Sequence, residues 1–236
     1  MDACNSGLRS FNRQVAKSVV EIAQANQLST IIELGAGRAP VTAELVKHED
    51  AAGLRLVTCD LVPNVEAYQK IAQQYPDKVF PIYSPVDLTQ PQVALNDSVL
   101  VLAGMMHHIP FELRPAVLQT ISETNSRAAI FEPLLRTWRS IFFATLSFFP
   151  AILLPITFFR RPGKLRRFLW CWIIPIVPYM FVWDGITSCL RQWTRAEWQE
   201  AFDNLENPPK VEYQQGFNSL RIFWGGTGNG LKKPIR

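Results

Sequence analysis

Two apolar rhythms take turns along the chain, one with the period of a helix and one made of short unbroken runs. Leu8, Phe11, Val15, Val19, Ile22 and Ala23 recur at helical spacing, and "STIIELGAG" then reads as a buried strand entering a glycine turn. Pro40 suits the first turn of the next helix, whose Val41 and Leu45 face inward. "LRLVTCD" predicts a second strand, "VEAYQKIAQQY" a second helix, and "KVFPIYSPVD" a weaker strand interrupted by proline. "SVLVLAGMM" has the continuous apolar character of a central parallel strand, and "FELRPAVLQTISETN" returns as a helix to the strand "AAIFEP". Alternation of this kind predicts an α/β protein, a doubly wound parallel sheet with helices on both faces.

After Leu135 the rhythm breaks. "SIFFATLSFFPAILLPITFF" is twenty uncharged residues, and "FLWCWIIPIVPYMFVW" is sixteen more, with a basic loop between them. Regular alternation resumes at "WDGITSCLRQWTRAEW", where Asp184-Gly185 predicts a turn and Thr194 with Glu197 forms a capping-box signature. "KVEYQQGF" and "SLRIFWGG" predict a terminal strand pair. The expected organisation is a catalytic domain from 1–135 and 184–236, with an inserted hydrophobic, basic helical hairpin at 136–183 that associates with a membrane and overhangs the active site.

Charge sharpens that division. The net charge is only +4, yet no acidic residue occurs between Pro133 and Trp183, where seven basic ones sit: Arg136, Arg139, Arg160, Arg161, Lys164, Arg166 and Arg167. Without them the chain is slightly acidic. Four scattered cysteines without C-x-x-C spacing and only three histidines argue against a structural zinc site, and the first residues have no apolar run resembling a signal peptide. A cytoplasmic, non-secreted protein with reduced thiols and no metal is expected.

The most informative chemistry is "IIELGAGRAP". A glycine turn between a first strand and its helix lets the backbone approach a ligand closely. A dinucleotide fingerprint starting at Gly35 needs glycine where Pro40 stands, and no tyrosine has lysine four residues later, as short-chain reductases require. The chain offers instead Glu33-x-Gly35-x-Gly37, with Asp60 closing the second strand. These features resemble the class I S-adenosylmethionine-dependent methyltransferases, whose first motif has this acid-x-Gly-x-Gly form, although Ala39 stands where a third glycine is frequent. The resemblance implies a Rossmann-like seven-stranded sheet, S-adenosylmethionine as cofactor, Asp60 on the ribose hydroxyls, Asp87 of "SPVDL" near the adenine, and Gly104 with Glu33, Gly35 and Gly37 around the rest of the cofactor.

"MMHHIP" resembles the segment after the fourth strand in small-molecule members of that family. Either His107 or His108 is a candidate general base for a substrate hydroxyl; a helix cap or pocket lining is the alternative. Glu132, at the end of the fifth strand, either touches substrate or closes a turn. Asp184 and Arg191 are expected to form a buried ion pair, with substrate contact as the second reading.

The insert carries the remaining inference. Pro150, Pro155, Pro175 and Pro178 break up both apolar runs, and a spanning hairpin would carry five basic side chains across the bilayer. A monotopic or re-entrant element on the cytoplasmic face of a membrane is expected, with the tryptophans at the interface and the basic loop on anionic lipids; a core hairpin or an oligomer interface is the alternative. Basic side chains embedded in apolar sequence argue against nucleic acid. The expected function is methyl transfer to a lipophilic, membrane-resident small molecule such as a quinone, isoprenoid, polyketide or acyl compound. The alternative is an inactive methyltransferase-like membrane binding or assembly protein.

Overall fold

The computed structural model describes residues 3–91, 93–124, 126–149 and 168–225. In chain order the elements are α1 (Ala3–Ala25), β1 (Thr30–Leu34), α2 (Pro40–Leu45), β2 (Arg55–Cys59), α3 (Val65–Gln74), β3 (Val79–Pro81) and β4 (Val99–Ala103). There follow α4 (Arg114–Ser122), β5 (Arg127–Glu132), α5 (Trp138–Leu146), α6 (Ile176–Leu190), α7 (Arg195–Asp203), β6 (Val211–Gln215) and β7 (Leu220–Gly225). The strands form one seven-stranded sheet in the order β3-β2-β1-β4-β5-β7-β6. The first five are parallel, while β7 runs antiparallel between β5 and β6.

Both faces of the sheet are covered, which explains the unbroken apolar runs. Along β4, Leu100 and Leu102 join the layer formed with Val117, Leu118, Trp198 and Phe202 of α4 and α7. Val99 and Val101 point the other way, to the layer formed with Val15, Val19 and Ile22 of α1 and with Val41 of α2. A strand buried on both sides has no polar face to alternate with. The proline-interrupted strand shrinks to the three residues of β3 at the sheet edge, the one place where a missing backbone donor is harmless. The capping box forms as expected, with the Thr194 side chain accepting from the Glu197 backbone and the Glu197 side chain accepting from the Thr194 backbone.

Beyond β5, α5 and α6 pack side by side. A Cβ added at Gly185 would stand 3.2 Å from the Cβ of Ala144, so the absent side chain is what lets the two helices approach. This corrects the expected turn at Asp184-Gly185, which lies inside α6; the contact with α5 uses the glycine for closeness rather than for bending. Away from that contact the helices present large apolar side chains to solvent, among them Trp138, Phe142, Tyr179, Phe181 and Trp183. Among the described residues no helix is long and apolar enough to cross a membrane. The basic loop from Arg160 to Arg167, and with it the tip of the expected hairpin, falls outside the described residues.

Candidate active site

The strand order reverses between β1 and β4, and a cavity of 1130 Å³ opens there, at the carboxyl ends of the strands. Its floor is the glycine turn. Gly35, Gly37 and Gly104 have φ of 61°, 53° and 61°, a left-handed backbone that side chains disfavour. At Gly35 an added Cβ would stand 2.8 Å from Met105 Cε, whereas at Gly37 it would meet nothing within 4 Å and would project into open space. The turn is laced to the end of β2: Ala36 donates to the Cys59 carbonyl at 3.0 Å and Gly37 donates to Asp60 Oδ2 at 2.7 Å. Ala39 also adopts φ of 54° while almost wholly buried, so the third small position is a strained alanine at the entrance to α2.

Of the acidic candidates, Asp60 and Asp87 line the cavity and Glu33 does not. Asp60 Oδ1 accepts from Val62 N at 2.8 Å, which leaves a lone pair on each carboxylate oxygen for further donors. Asp87 closes a tight turn by accepting from the backbone and hydroxyl of Thr89 at 2.8 and 2.7 Å, and these bonds hold its carboxyl below the usual value. Glu33 is corrected from cofactor contact to a brace of the fold. Its carboxylate accepts from Val41 N, Thr42 N and Thr42 Oγ1 at 3.1, 2.8 and 2.7 Å, and so holds the amino end of α2. Burial pushes it up to about 7, partly offset by the bonds from Thr42 and Val41.

The two histidines part company. His108 lines the cavity, and His107 lies beneath it with the ring centroids 4.1 Å apart. Burial, and then neighbouring His107, hold His108 below the ordinary imidazole value, so it is neutral near pH 7 and able to accept a proton. His107 Nδ1 meets Glu132 Oε2 at 2.8 Å, and Met106 N donates to the other oxygen of Glu132 at 3.0 Å. Glu132 is wholly buried, which corrects the expected substrate contact: it orients His107.

Asp184 and Arg191 do not pair. Asp184 is exposed on α6, and Arg191 donates instead to the carbonyl of His108 at 3.1 Å. Two residues went unnoticed in the sequence. Gln192 Nε2 donates to Glu132 Oε2 at 2.5 Å, and Arg114, fully buried, donates to the carbonyls of Ile109 and Arg191. Neither stands in a motif, since a lone amide and a lone arginine at a helix start carry no spacing signal. Leu8 and Arg9 of α1 also reach the cavity, a wall that the helical periodicity did not announce. No described residue between 136 and 183 lines it; the end of α6 abuts it at the histidine turn.

No protein-family model matches this chain, and no curated protein matches it in sequence. Among solved structures, magnesium protoporphyrin IX methyltransferase from Synechocystis, with bound SAH, superposes with a TM-score of 0.56 at 15% identity, over 96% of this chain and 89% of that one. The plantazolicin methyltransferase, also in complex with SAH, gives 0.59 at 12% identity, over 94% and 85%. Human N-acetylserotonin methyltransferase, in complex with SAM, gives 0.52 at 12% identity over 89% of this chain, which spans about half of it, 51%. With its seven-stranded sheet, its reversed terminal pair and its crevice at the β1/β4 switch, the chain has the fold of the class I S-adenosylmethionine-dependent methyltransferases.

Proposed function

We propose that the protein is an S-adenosylmethionine-dependent methyltransferase whose acceptor is a small lipophilic molecule taken from a membrane surface. The single observation behind the first half is the composition of one cavity wall: the glycine turn, the Asp60 carboxylate and the His108 imidazole face the same space. The residues suit the cofactor. Gly37 leaves open the volume that a side chain would fill, and Asp60 has lone pairs for two hydroxyls. Asp87 and Gly104 line the same cavity. When bound, S-adenosylmethionine supplies a methyl group on a sulfonium, ready for attack by a nucleophile.

The chain's own contribution is placement and proton removal. Held in the cavity, the acceptor has its nucleophilic atom beside His108, which takes the proton of a hydroxyl as the new bond forms. His107, fixed by Glu132 and Gln192, supports the His108 ring from below.

For the acceptor, the support is the apolar face of α5 and α6. Trp138 and Trp183 are 76% and 57% exposed, and contiguous apolar surface of this kind marks a contact with lipid or protein. Arg136, Arg139 and the five basic residues from Arg160 to Arg167 stand in a stretch without acids, so the occupant is an anionic lipid surface, met from the cytoplasmic side without a span.

Calorimetric titration with S-adenosylmethionine tests the enzyme reading; no binding by the wild type overturns it in favour of a non-catalytic membrane protein. Incubation of whole-lipid extracts with isotopically labelled donor then tests the acceptor. Label is expected in the lipid fraction and is expected to fall ~10²- to 10⁴-fold in His108→Ala with cofactor binding intact. Label confined to water-soluble products would remove the lipophilic acceptor.

A further inference from the structure

The turn carrying the two histidines is gripped from outside the cavity. Its three successive carbonyls each accept from an arginine: Arg114 Nη2 reaches His107 at 3.4 Å, Arg191 Nη2 reaches His108 at 3.1 Å, and Arg114 Nε reaches Ile109 at 3.0 Å. Arg114 Nη2 also donates to the carbonyl of Arg191 at 2.9 Å, which ties the two grips together. Gln192, the next residue, holds Glu132 and lies 3.2 Å from His107 Nδ1.

Arg114 is an unusual choice for its place. It is 1% exposed, lies between the rings of Phe111 and Trp193 at 4.2 and 5.2 Å, and directs its hydrogen bonds to carbonyls. Burial pushes its guanidinium down to about 10, a sign of what desolvating the cation costs. An apolar side chain would fill the same volume without that cost. What it would not do is join the histidine turn to the residue that ends α6, a task for a planar donor able to serve two backbone segments at once.

We propose that Arg114 and Arg191 form a clasp whose function is to position His108 on the cavity wall, with Gln192 fixing the Glu132–His107 pair behind it. This rests on the reading of His108 as the base. Neither arginine nor Gln192 lines the cavity, so all three act through the turn and are positioning residues. Arg191 directly follows α6, so any displacement of that helix reaches the His108 carbonyl without an intervening linker.

The chain has three histidines, so labelling the imidazole Cε1 carbons with ¹³C gives three signals, with His48 as the internal control. The charged and titratable groups that face His108 are His107 on its own turn, Glu132 from β5, Asp184 from α6 and Arg191 at the end of α6. Arg114→Lys and Arg191→Lys keep each positive charge and lose the planar donor. In both, the His108 titration midpoint is expected to rise toward that of a free imidazole as the turn loosens and takes up water, while His48 stays put. Affinity for S-adenosylmethionine is expected to change by no more than about twofold, as for a site without shared contacts.

A His108 midpoint identical to wild type in a folded Arg114→Lys protein overturns the clasp. Should that variant fail to fold, Arg191→Lys, whose side chain is partly exposed, decides by the same criterion. The two proposals fail separately. If the wild type binds no cofactor but the His108 midpoint rises in the lysine variants, the methyltransferase reading is lost and the clasp is kept; if the wild type binds cofactor and the midpoint in the folded variants equals its own, the clasp alone is lost.

Discussion

Phe131 and Phe223 meet edge to ring at 5.5 Å inside the sheet, and Phe142 and Phe143 meet at 5.9 Å on α5. The side chains and the contact are alike, yet the first pair is at most 1% exposed and the second is 52% and 45% exposed. The sheet pair belongs to the layer that α1 covers, and its apolar surface is removed from water. The α5 pair has α6 on one side and, at Phe143, the ring of Phe217 at 5.8 Å, and both side chains still stand about half exposed. Hydrophobicity is a demand for company, and only the surrounding chain determines whether the company comes from within the molecule or from outside it.

The comparison breaks most readily at Phe223. Phe223→Ala is expected to destabilise the fold by about 3–5 kcal/mol in urea unfolding, the usual loss for emptying a packed aromatic site. Equal loss in Phe142→Ala would mean that the α5 face is covered after all. Next in size, Asp60→Ala is expected to weaken calorimetric binding of S-adenosylmethionine by about 10- to 100-fold, since it removes a charged acceptor of hydroxyls. Recovery with anionic liposomes in flotation should be untouched, which would keep the cavity and the apolar face independent.

Glu33 sharpens the sheet side of the comparison through pH. The folded protein keeps a proton on this acid up to about pH 7, whereas the unfolded chain releases it near the ordinary value of 4.5. Its contribution to stability is therefore fully present below pH 4.5 and declines as the pH rises to about 7. Glu33→Gln should lack that decline when thermal unfolding is compared at pH 5 and pH 8.

A smaller effect is expected at Ala39, whose left-handed backbone suits glycine. Ala39→Gly should raise stability by about 1 kcal/mol, and a loss instead would show that its buried methyl matters more than the strain. The smallest change in stability belongs to Trp183→Ser, within about 0.5 kcal/mol as for an uncovered surface position. That same substitution should lower recovery with anionic liposomes; recovery equal to wild type would remove the membrane contact from this face.

The five parallel strands were legible because each is short, largely apolar and bounded by polar turns, and the order of acid, glycines and aspartate marks the ligand edge of the sheet. Asp60 and the pair His107 and His108 stood out in the sequence, since they lie at strand ends where a parallel sheet opens, but nothing in it separated one histidine from the other. Glu33 stood out in the wrong role: an acid beside a glycine turn looks like a ligand contact, and only the packing of α2 over it reveals a brace. Gln192 and Arg114 were invisible for the opposite reason. Gln192 lies 85 residues from His107 along the chain and meets it only through the fold, and Arg114 bonds to carbonyls, which every residue possesses. Asp184-Gly185 misled because glycine after aspartate signals a turn in isolation, whereas against Ala144 the glycine serves close helix packing.

By itself the sequence determined the period of each element, the covered faces of the sheet, the position of the glycine turn and the segregation of basic and apolar residues into one stretch, because these follow from local spacing and from the need to remove apolar surface from water. The tertiary structure alone decided which carboxylates face the cavity, which histidine reaches it, and that the end of α6 grips the histidine turn. Those outcomes depend on which distant segments share a few ångströms, and hydrogen bonds and burial act over that range whatever the separation along the chain.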